Sequence, residues 1–279
     1  MIRFCEMVGL SVRDIRPRLS NRRVREVEDL TTLAENDPRH DWAGKTWEEM
    51  ARENPLAAVM TTKEMRAEGG ISEARLELFF AKGRKLFERY IQPFLKPGLV
   101  VDYGCGPGRV LRAVADAGLP CAGMDISSTM IELGRTLVPE ADLHVLNDGR
   151  SALPDACASV VYSYAVVQHI SRLDAYEAAF DEMCRVLAPG GVLLVQVACD
   201  DFQFGLASPG RTENHQTWYM HYPAKGEPYR YDQDNWGGVT IGNDRQVLML
   251  EDRGLIFDEW RPHKSKASRV WWLQAHRPD

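Results

Sequence analysis

The sequence predicts an α/β fold: a doubly wound, mostly parallel sheet of seven strands whose last two form an antiparallel pair. Three observations carry this expectation. Short β-branched runs alternate with helical patterns from about residue 73 to 198. A glycine-rich turn, "VVDYGCGPGRVL" at 100–111, joins the first run to its helix. Near the end, "LIFDEW" and "RVWWLQ" flank only "RPHKSKAS", a connection suited to antiparallel neighbours.

Taken in order, residues 1–70 read as an extension with a helical cap. The first 26 residues hold seven arginines against Glu6, Asp14 and Glu26, the pattern of a solvated terminus. In "DWAGKTWEEMARENP", Trp42, Trp47 and Met50 are placed to dock a short helix on the main body. From Ser72, Leu76, Phe79, Phe80, Phe87, Tyr90, Ile91 and Phe94 recur at helical spacing, predicting one amphipathic helix that ends by Pro97-Gly98. "LVVDY" is the first strand. Val110, Leu111 and Val114 mark a helix closing at Gly118, and "CAGMD" is a second strand before a helix capped near Ser127. "LHVL" and "SVVYSYAVV" follow as strands. A helix over 172–187 starts with Ser171 and Asp174 as cap and third position, "APGG" ends it, and "VLLVQVA" is the fifth strand. Asn243 with Gln246 predicts a last helix ending near Gly254.

Between Cys199 and residue 240 the rhythm fails. That stretch carries Phe202, Phe204, Trp218, Tyr219, Tyr222, Tyr229, Tyr231 and Trp236, too aromatic for a linker, and is expected to be an inserted lid within a domain spanning 71–279.

Composition narrows the partners. The chain has 279 residues, of which 44% are hydrophobic and 27% charged, values of an ordinary globular protein. A formal charge of −6 disfavours a polyanion-binding face, which leaves a small molecule as the expected partner, with no nucleic acid and no membrane. Six scattered cysteines fit a reducing compartment and suggest neither a zinc ribbon nor a disulfide framework; a cytoplasmic monomer or homodimer without a metal is the expectation.

The turn is the chemically informative feature. Its glycines run G-x-G-x-G at Gly104, Gly106 and Gly108, where a dinucleotide fingerprint would run G-x-G-x-x-G. An acid, Asp102, stands two residues before the first glycine. A carboxylate there would not help to seat a pyrophosphate; it suits a cation.

"VVDYGCGPG" resembles the first motif of class I S-adenosylmethionine-dependent methyltransferases, and the resemblance continues in order over about residues 73–198. It implies that Asp102 and the turn (Tyr103, Gly104, Cys105, Gly106, Gly108) hold the cationic methionine end of the cofactor. "GMDIS" is similar to the second motif, which gives Asp125 the ribose diol and Ile126 the adenine face. "LNDGRSALP" resembles the segment in which an acid and the next backbone N–H meet the adenine edge, here Asp148 and Gly149. "VVYSYAVVQHI" resembles the fourth strand and its cofactor-facing end, with Tyr164 there. "EMCRVLAPGGVLLV" is close to the helix, turn and fifth strand that follow.

The reaction so implied moves a methyl group from S-adenosylmethionine to an oxygen or nitrogen of a small acceptor and leaves S-adenosylhomocysteine. His169 is the candidate general base, with packing or holding the helix start as its other role. Asp200, Asp201, His215, Tyr219 and His221 in the lid are candidate acceptor contacts. "SYAV" after the fourth strand lacks the Asn/Asp-Pro-Pro-aromatic motif of enzymes that methylate amino groups of DNA bases. Two alternatives remain: a nicotinamide-dependent oxidoreductase, which the glycine spacing disfavours, and a cofactor-binding partner protein without catalysis.

Overall fold

A computed structural model describes residues 42–60, 62–66, 70–170, 173–198, 217–218, 239–240, 243–263 and 270–279. In chain order, the N-terminal part gives three short helices: α1 (Trp42–Glu53), α2 (Pro55–Val59) and α3 (Lys63–Arg66). Helix α4 (Glu73–Leu86) then leads into the alternating core. This comprises β1 (Leu99–Tyr103), α5 (Leu111–Asp116), β2 (Cys121–Asp125), α6 (Ser128–Leu137), β3 (Asp142–Val145), β4 (Ala158–Ser163), α7 (Leu173–Val186) and β5 (Leu187–Ala198). Beyond it come β6 (Thr217–Trp218), β7 (Val239–Thr240), α8 (Asn243–Glu251), β8 (Ile256–Pro262) and β9 (Val270–His276).

The seven-stranded sheet has the order β3-β2-β1-β4-β5-β9-β8. Pairs among β1 to β5 are parallel, while β9 runs antiparallel to both β5 and β8. Chain order reverses between β1 and β4, which opens a crevice at their carboxyl ends. The central strands read as unbroken apolar runs because both faces are covered: Val100 and Val101 on β1, and Val160 and Val161 on β4, are fully buried. On one face Val101, Met124, Val161, Tyr176, Phe180 and Met183 form the core with α7 and α8. On the other, Val100, Leu111, Val160, Tyr162 and Trp272 meet Phe87, Tyr90 and Ile91. Each such side chain contributes about 1.5–3 kcal/mol by leaving water.

Three local readings are corrected. The helix from Ser72 is not uniform. After Leu86 it widens into a π-helical turn (Phe87–Ile91) and then tightens into a 3-10 turn (Gln92–Phe94). Pro93 cannot donate to a continuing helix, and the extra residue of the wide turn leaves Phe87, Tyr90 and Ile91 all buried. "SYAVV" does not extend β4. The strand stops at Ser163, whose hydroxyl donates to the Tyr103 carbonyl (3.0 Å), and Ala165 at φ 59° turns the chain into a short 3-10 helix, Val167–His169. "APGG" lies within β5. Leu187 pairs with Ala158 and Val192 with Val160, so the intervening residues bulge out of the ladder, where the Gly190 carbonyl accepts from Lys96 Nζ at 2.6 Å.

Within the expected lid, Thr217–Trp218 and Val239–Thr240 pair as a separate antiparallel ribbon. No described helix is long and apolar enough to cross a membrane.

Candidate functional site

The crevice is built around the turn after β1. Gly104 stands at φ +75°, a conformation costly to any residue with a Cβ, and an added Cβ would collide with both methyls of Val166. The chain therefore passes directly under the loop that follows β4. The N–H groups of the turn are engaged within the protein. Gly104 and Cys105 donate to the Met124 carbonyl (2.7 and 3.0 Å), Gly106 to Asp125 Oδ2 (2.8 Å) and Gly108 to the Cys105 carbonyl (3.0 Å). These four donors already have acceptors within the protein and are not offered to a phosphate. The turn's part is to fix the carboxylates around it.

Asp125, at the end of β2, is the best-fixed of these. Oδ2 accepts from Gly106 N and Oδ1 from Ser127 N (2.9 Å), so each oxygen keeps an acceptor position in a set orientation. Burial raises its pKa against these amide bonds, and a diol donating two hydrogen bonds would favour its ionised form. The next residue, Ile126, is 41% exposed, one of four large apolar side chains so exposed among the described residues. β3 ends beside it, with Leu146 N on the Asp125 carbonyl at 2.8 Å. Asn147 to Arg150 then make a tight turn, closed by reciprocal backbone bonds of 2.9 Å, with Asp148 and Gly149 at φ 49° and 77°. Asp-Gly suits such a turn, and Asp148 projects from it, exposed.

Asp102 is 4% exposed. Burial lifts its pKa from 3.8 to about 7, and the Tyr162 hydroxyl on β4, its register partner, and Arg109 pull the other way. Tyr103 departs from expectation. Alternate strand residues face opposite sides of the sheet, so its side chain belongs to the α7-side core, 5% exposed, and only its backbone lies toward the crevice. Cys105 is buried under the turn, with its thiol on the Gly106 carbonyl (3.3 Å) and its pKa driven up by burial. Gly108, at φ 87°, leads into Arg109. Tyr164 stands just beyond β4, stacked on Trp272 (5.8 Å, 21°) and bonded to Gln196, with the Arg109 guanidinium over its ring at 5.2 Å.

His169 is brought to the same mouth. Its ring meets Trp47 edge-on at 5.6 Å, its Nε2 lies 3.3 Å from Gln168 Nε2, and burial lowers its pKa to about 4. It is a neutral imidazole at pH 7, and a weaker base than a free histidine. Asp200, His215, Tyr219 and His221 lie outside the described residues, as does Asp201.

The expected short helix docks here, with Trp47 on His169, but the part of Glu48 was missed. Glu48 on α1 receives Ser127 Oγ (2.6 Å), Thr129 Oγ1 (2.6 Å), Ser128 Oγ (3.3 Å) and Thr129 N (3.3 Å), and the bonds from Ser127 and Thr129 lower its pKa to about 2. It caps α6 from outside. With Trp47 on His169 and Val59 3.0 Å from where a Cβ on Gly106 would lie, this segment spans the mouth from the β2 end to the β4 end. Ser127-Ser128-Thr129 signalled only a helix start; that a glutamate 79 residues earlier would meet it had no local signature. Among the described residues, no group of three or more His, Cys, Asp or Glu could hold a metal ion.

The chain is similar to methyltransferases of known sequence and structure. Residues 101–195 match the family described as Methyltransferase domain. A trans-aconitate 2-methyltransferase of Methylobacterium radiotolerans is 34% identical over 108 residues, 38% of this chain and 40% of that protein. A probable tRNA methyltransferase 9B of Mus musculus is 28% identical over 141 residues, 45% of this chain and 31% of that protein. The chain thus spans well under half the length of these curated relatives. In structure, it is similar to the CcbJ methyltransferase from Streptomyces caelestis, with a TM-score of 0.52 at 16% identity over 71% of this chain and 90% of the other.

Proposed function

We propose, for a chain whose core is a class I S-adenosylmethionine-dependent methyltransferase domain, that it transfers a methyl group to an oxygen or nitrogen of a small-molecule acceptor. The observation that carries the reading is Asp125: a strand-end carboxylate aimed by two backbone amides, beside an exposed Ile126, at the point where strand order reverses. That arrangement fits a nucleoside with a free diol. The amides of Gly104, Cys105, Gly106 and Gly108 are already bonded, which, with the G-x-G-x-G spacing, weighs against a pyrophosphate and so against a nicotinamide-dependent oxidoreductase.

In this reading Asp125 takes the ribose hydroxyls, Ile126 packs on the adenine, and Asp148 with the Gly149 N–H reads the adenine edge. Asp102 faces the ammonium of the methionine end. When bound, the cofactor supplies an electrophilic methyl on sulfonium, so the protein's main task is to orient the acceptor in line and exclude water. The α1–α2 segment, latched by Glu48, serves the exclusion. His169, neutral and enclosed against Trp47, holds that segment and has little strength as a base, which suits an acceptor already able to attack without losing a tightly held proton.

A carboxylate is such an acceptor, and one relative is a trans-aconitate 2-methyltransferase. A tRNA acceptor is the second reading, favoured by the mouse relative and disfavoured by the chain's −6 charge. The test is transfer from methyl-labelled S-adenosylmethionine to a panel of small carboxylates, phenols and amines and to total tRNA, with Asp125→Ala as control. Label in a small-molecule fraction that the control abolishes is expected. Label in tRNA alone would overturn the small-molecule reading.

A further inference from the structure

His263, at the end of β8, has no part in the function proposed so far. Its N–H donates to the Val270 carbonyl (3.1 Å), and Val270 pairs with Ala198, the last residue of β5. The residue therefore stands level with the carboxyl end of β5, across the strand-order reversal from β2 and β3. It is 7% exposed. Its Nδ1 lies 3.2 Å from Nε1 of the buried Trp272. An indole nitrogen can only donate, so Nδ1 is the acceptor and the ring proton sits on Nε2. His263 is thus held as a neutral donor, because a proton on Nδ1 would set two N–H groups against each other.

Rings surround it. Tyr90 stacks on His263 (4.8 Å, 29°) and on Trp272 (5.1 Å, 24°), and the Tyr164 ring, just beyond β4, lies 5.8 Å from His263. Tyr90 comes from the π-helical turn Phe87–Ile91, a rare element that occurs mostly at functional sites. Three guanidiniums border the group: Arg89 over Tyr90 (5.2 Å), Arg109 over Tyr164 (5.2 Å) and Arg261 over Phe94 (4.0 Å). Arg261, two residues before His263, has Nε and Nη2 buried without a hydrogen-bond partner among the described residues, with Glu259 3.6 Å from that Nε. In a chain of net charge −6 this is a local excess of positive charge. A buried indole N–H needs one acceptor, which a backbone carbonyl would supply. A histidine in that place adds a second hydrogen-bonding group, Nε2–H, directed away from Trp272.

We infer that His263 is the hydrogen-bond donor of the acceptor subsite, and that this subsite takes a carboxylate, one oxygen on His263 Nε2–H while the other attacks the methyl group. The inference rests on the proposed function, in which Asp102, Asp125 and Asp148 hold the donor at the ends of β1 to β3 and leave the β4–β5 side to the acceptor. The attacking oxygen forms its bond to the methyl carbon as the S–CH3 bond breaks, and that bond's electron pair stays on sulfur. No proton moves, so a neutral donor suffices where a base would have no task. Trp272 is a positioning residue, acting through the tautomer of His263.

Two measurements on the full chain test the subsite. In the first, the ring nitrogens of His263 are read by nitrogen-15 NMR at pH 7: the Nε2–H tautomer is expected, with a mixture of tautomers in Trp272→Phe. A charged ring or the Nδ1–H tautomer in the wild type would overturn the inference. In the second, protein saturated with S-adenosylhomocysteine is titrated with trans-aconitate, benzoate and the neutral benzamide. Both carboxylates are expected to bind, and His263→Phe to weaken them about 10- to 100-fold while benzamide and S-adenosylhomocysteine itself stay within about threefold. His263→Gln, whose amide can donate from nearly the same place, should recover part of the loss. Unchanged carboxylate binding in His263→Phe, an equal loss of S-adenosylhomocysteine, or no carboxylate saturation in the wild type by about 10 mM would overturn the subsite. Failure of wild-type protein to bind S-adenosylhomocysteine would instead remove the methyl-donor reading on which the subsite depends.

Discussion

Two buried acid–arginine couples in this chain have opposite settings. Behind the turn that follows β3, Glu182 is 3% exposed and fully served: Ser151 N and Oγ donate to it at 2.8 and 2.6 Å, and Arg185 forks onto it at 2.7 and 2.8 Å. Burial works against its charge, but these bonds outweigh it and its pKa is lowered. Arg185 also reaches Asp155 and the Leu153 carbonyl, tying the β3–β4 connection to α7. At the crevice, Asp102 and Arg109 are about as buried but no ion pair joins them among the described residues, and burial dominates both titrations. The first couple is saturated with donors, and the second is left short of them.

The strongest test of that contrast is a matched pair of truncations. Arg185→Met should cost about 3–5 kcal/mol in urea unfolding, because Glu182 would remain buried and unpaired. Arg109→Met should change the same measurement by less than about 1 kcal/mol, or raise stability. The reverse ranking would break the comparison. Next in size, Gly104→Ala should cost about 2–4 kcal/mol through its φ and the clash with Val166, and should abolish S-adenosylhomocysteine binding at micromolar protein. Glu48→Ala should cost about 1 kcal/mol as a lost cap of α6, weaken that ligand several-fold, and expose the peptide bonds of α1 to limited proteolysis.

The smallest effect is a pH dependence that sharpens the picture of Asp102. Its folded pKa is raised, so the stability it contributes without ligand is whole below about pH 4 and falls as pH rises toward 7. The groups acting on it are Tyr162 from β4, Arg109 after the turn and Asp125 from β2. An ammonium favours the ionised form, so affinity for S-adenosylhomocysteine should climb by up to about tenfold per pH unit below 7 and then level off. Asp102→Asn should flatten the climb. A wild-type profile that is already flat would mean that Asp102 is not facing the ligand.

Much of the crevice was legible because its signals are local. The G-x-G-x-G spacing, the acid closing "CAGMD", the Ser127 cap and the Asp148-Gly149 turn each act within a few residues, and the structure places them around one crevice. What was not legible depends on distance in sequence or on competition among bonds. The turn's amides look free in a sequence and are engaged once β2 lies alongside. Tyr103 looked like part of the motif, but strand alternation turns its side chain into the core. Glu48 meets Ser127 across 79 residues, and Arg109 reads as an ordinary helix-start cation until Phe79 and Tyr164 enclose it. The aromatic stretch 199–240, the expected lid, has no periodicity from which its contacts could be derived.

The most direct test of the account is titration of S-adenosylhomocysteine into the purified chain and into its Asp125→Ala variant, with a nicotinamide dinucleotide run in parallel. One saturable site in the wild type, weakened at least about 30-fold by the substitution and with no nicotinamide binding, is the predicted result. Saturable nicotinamide binding without S-adenosylhomocysteine binding, or equal affinity in the Asp125→Ala variant, would contradict it.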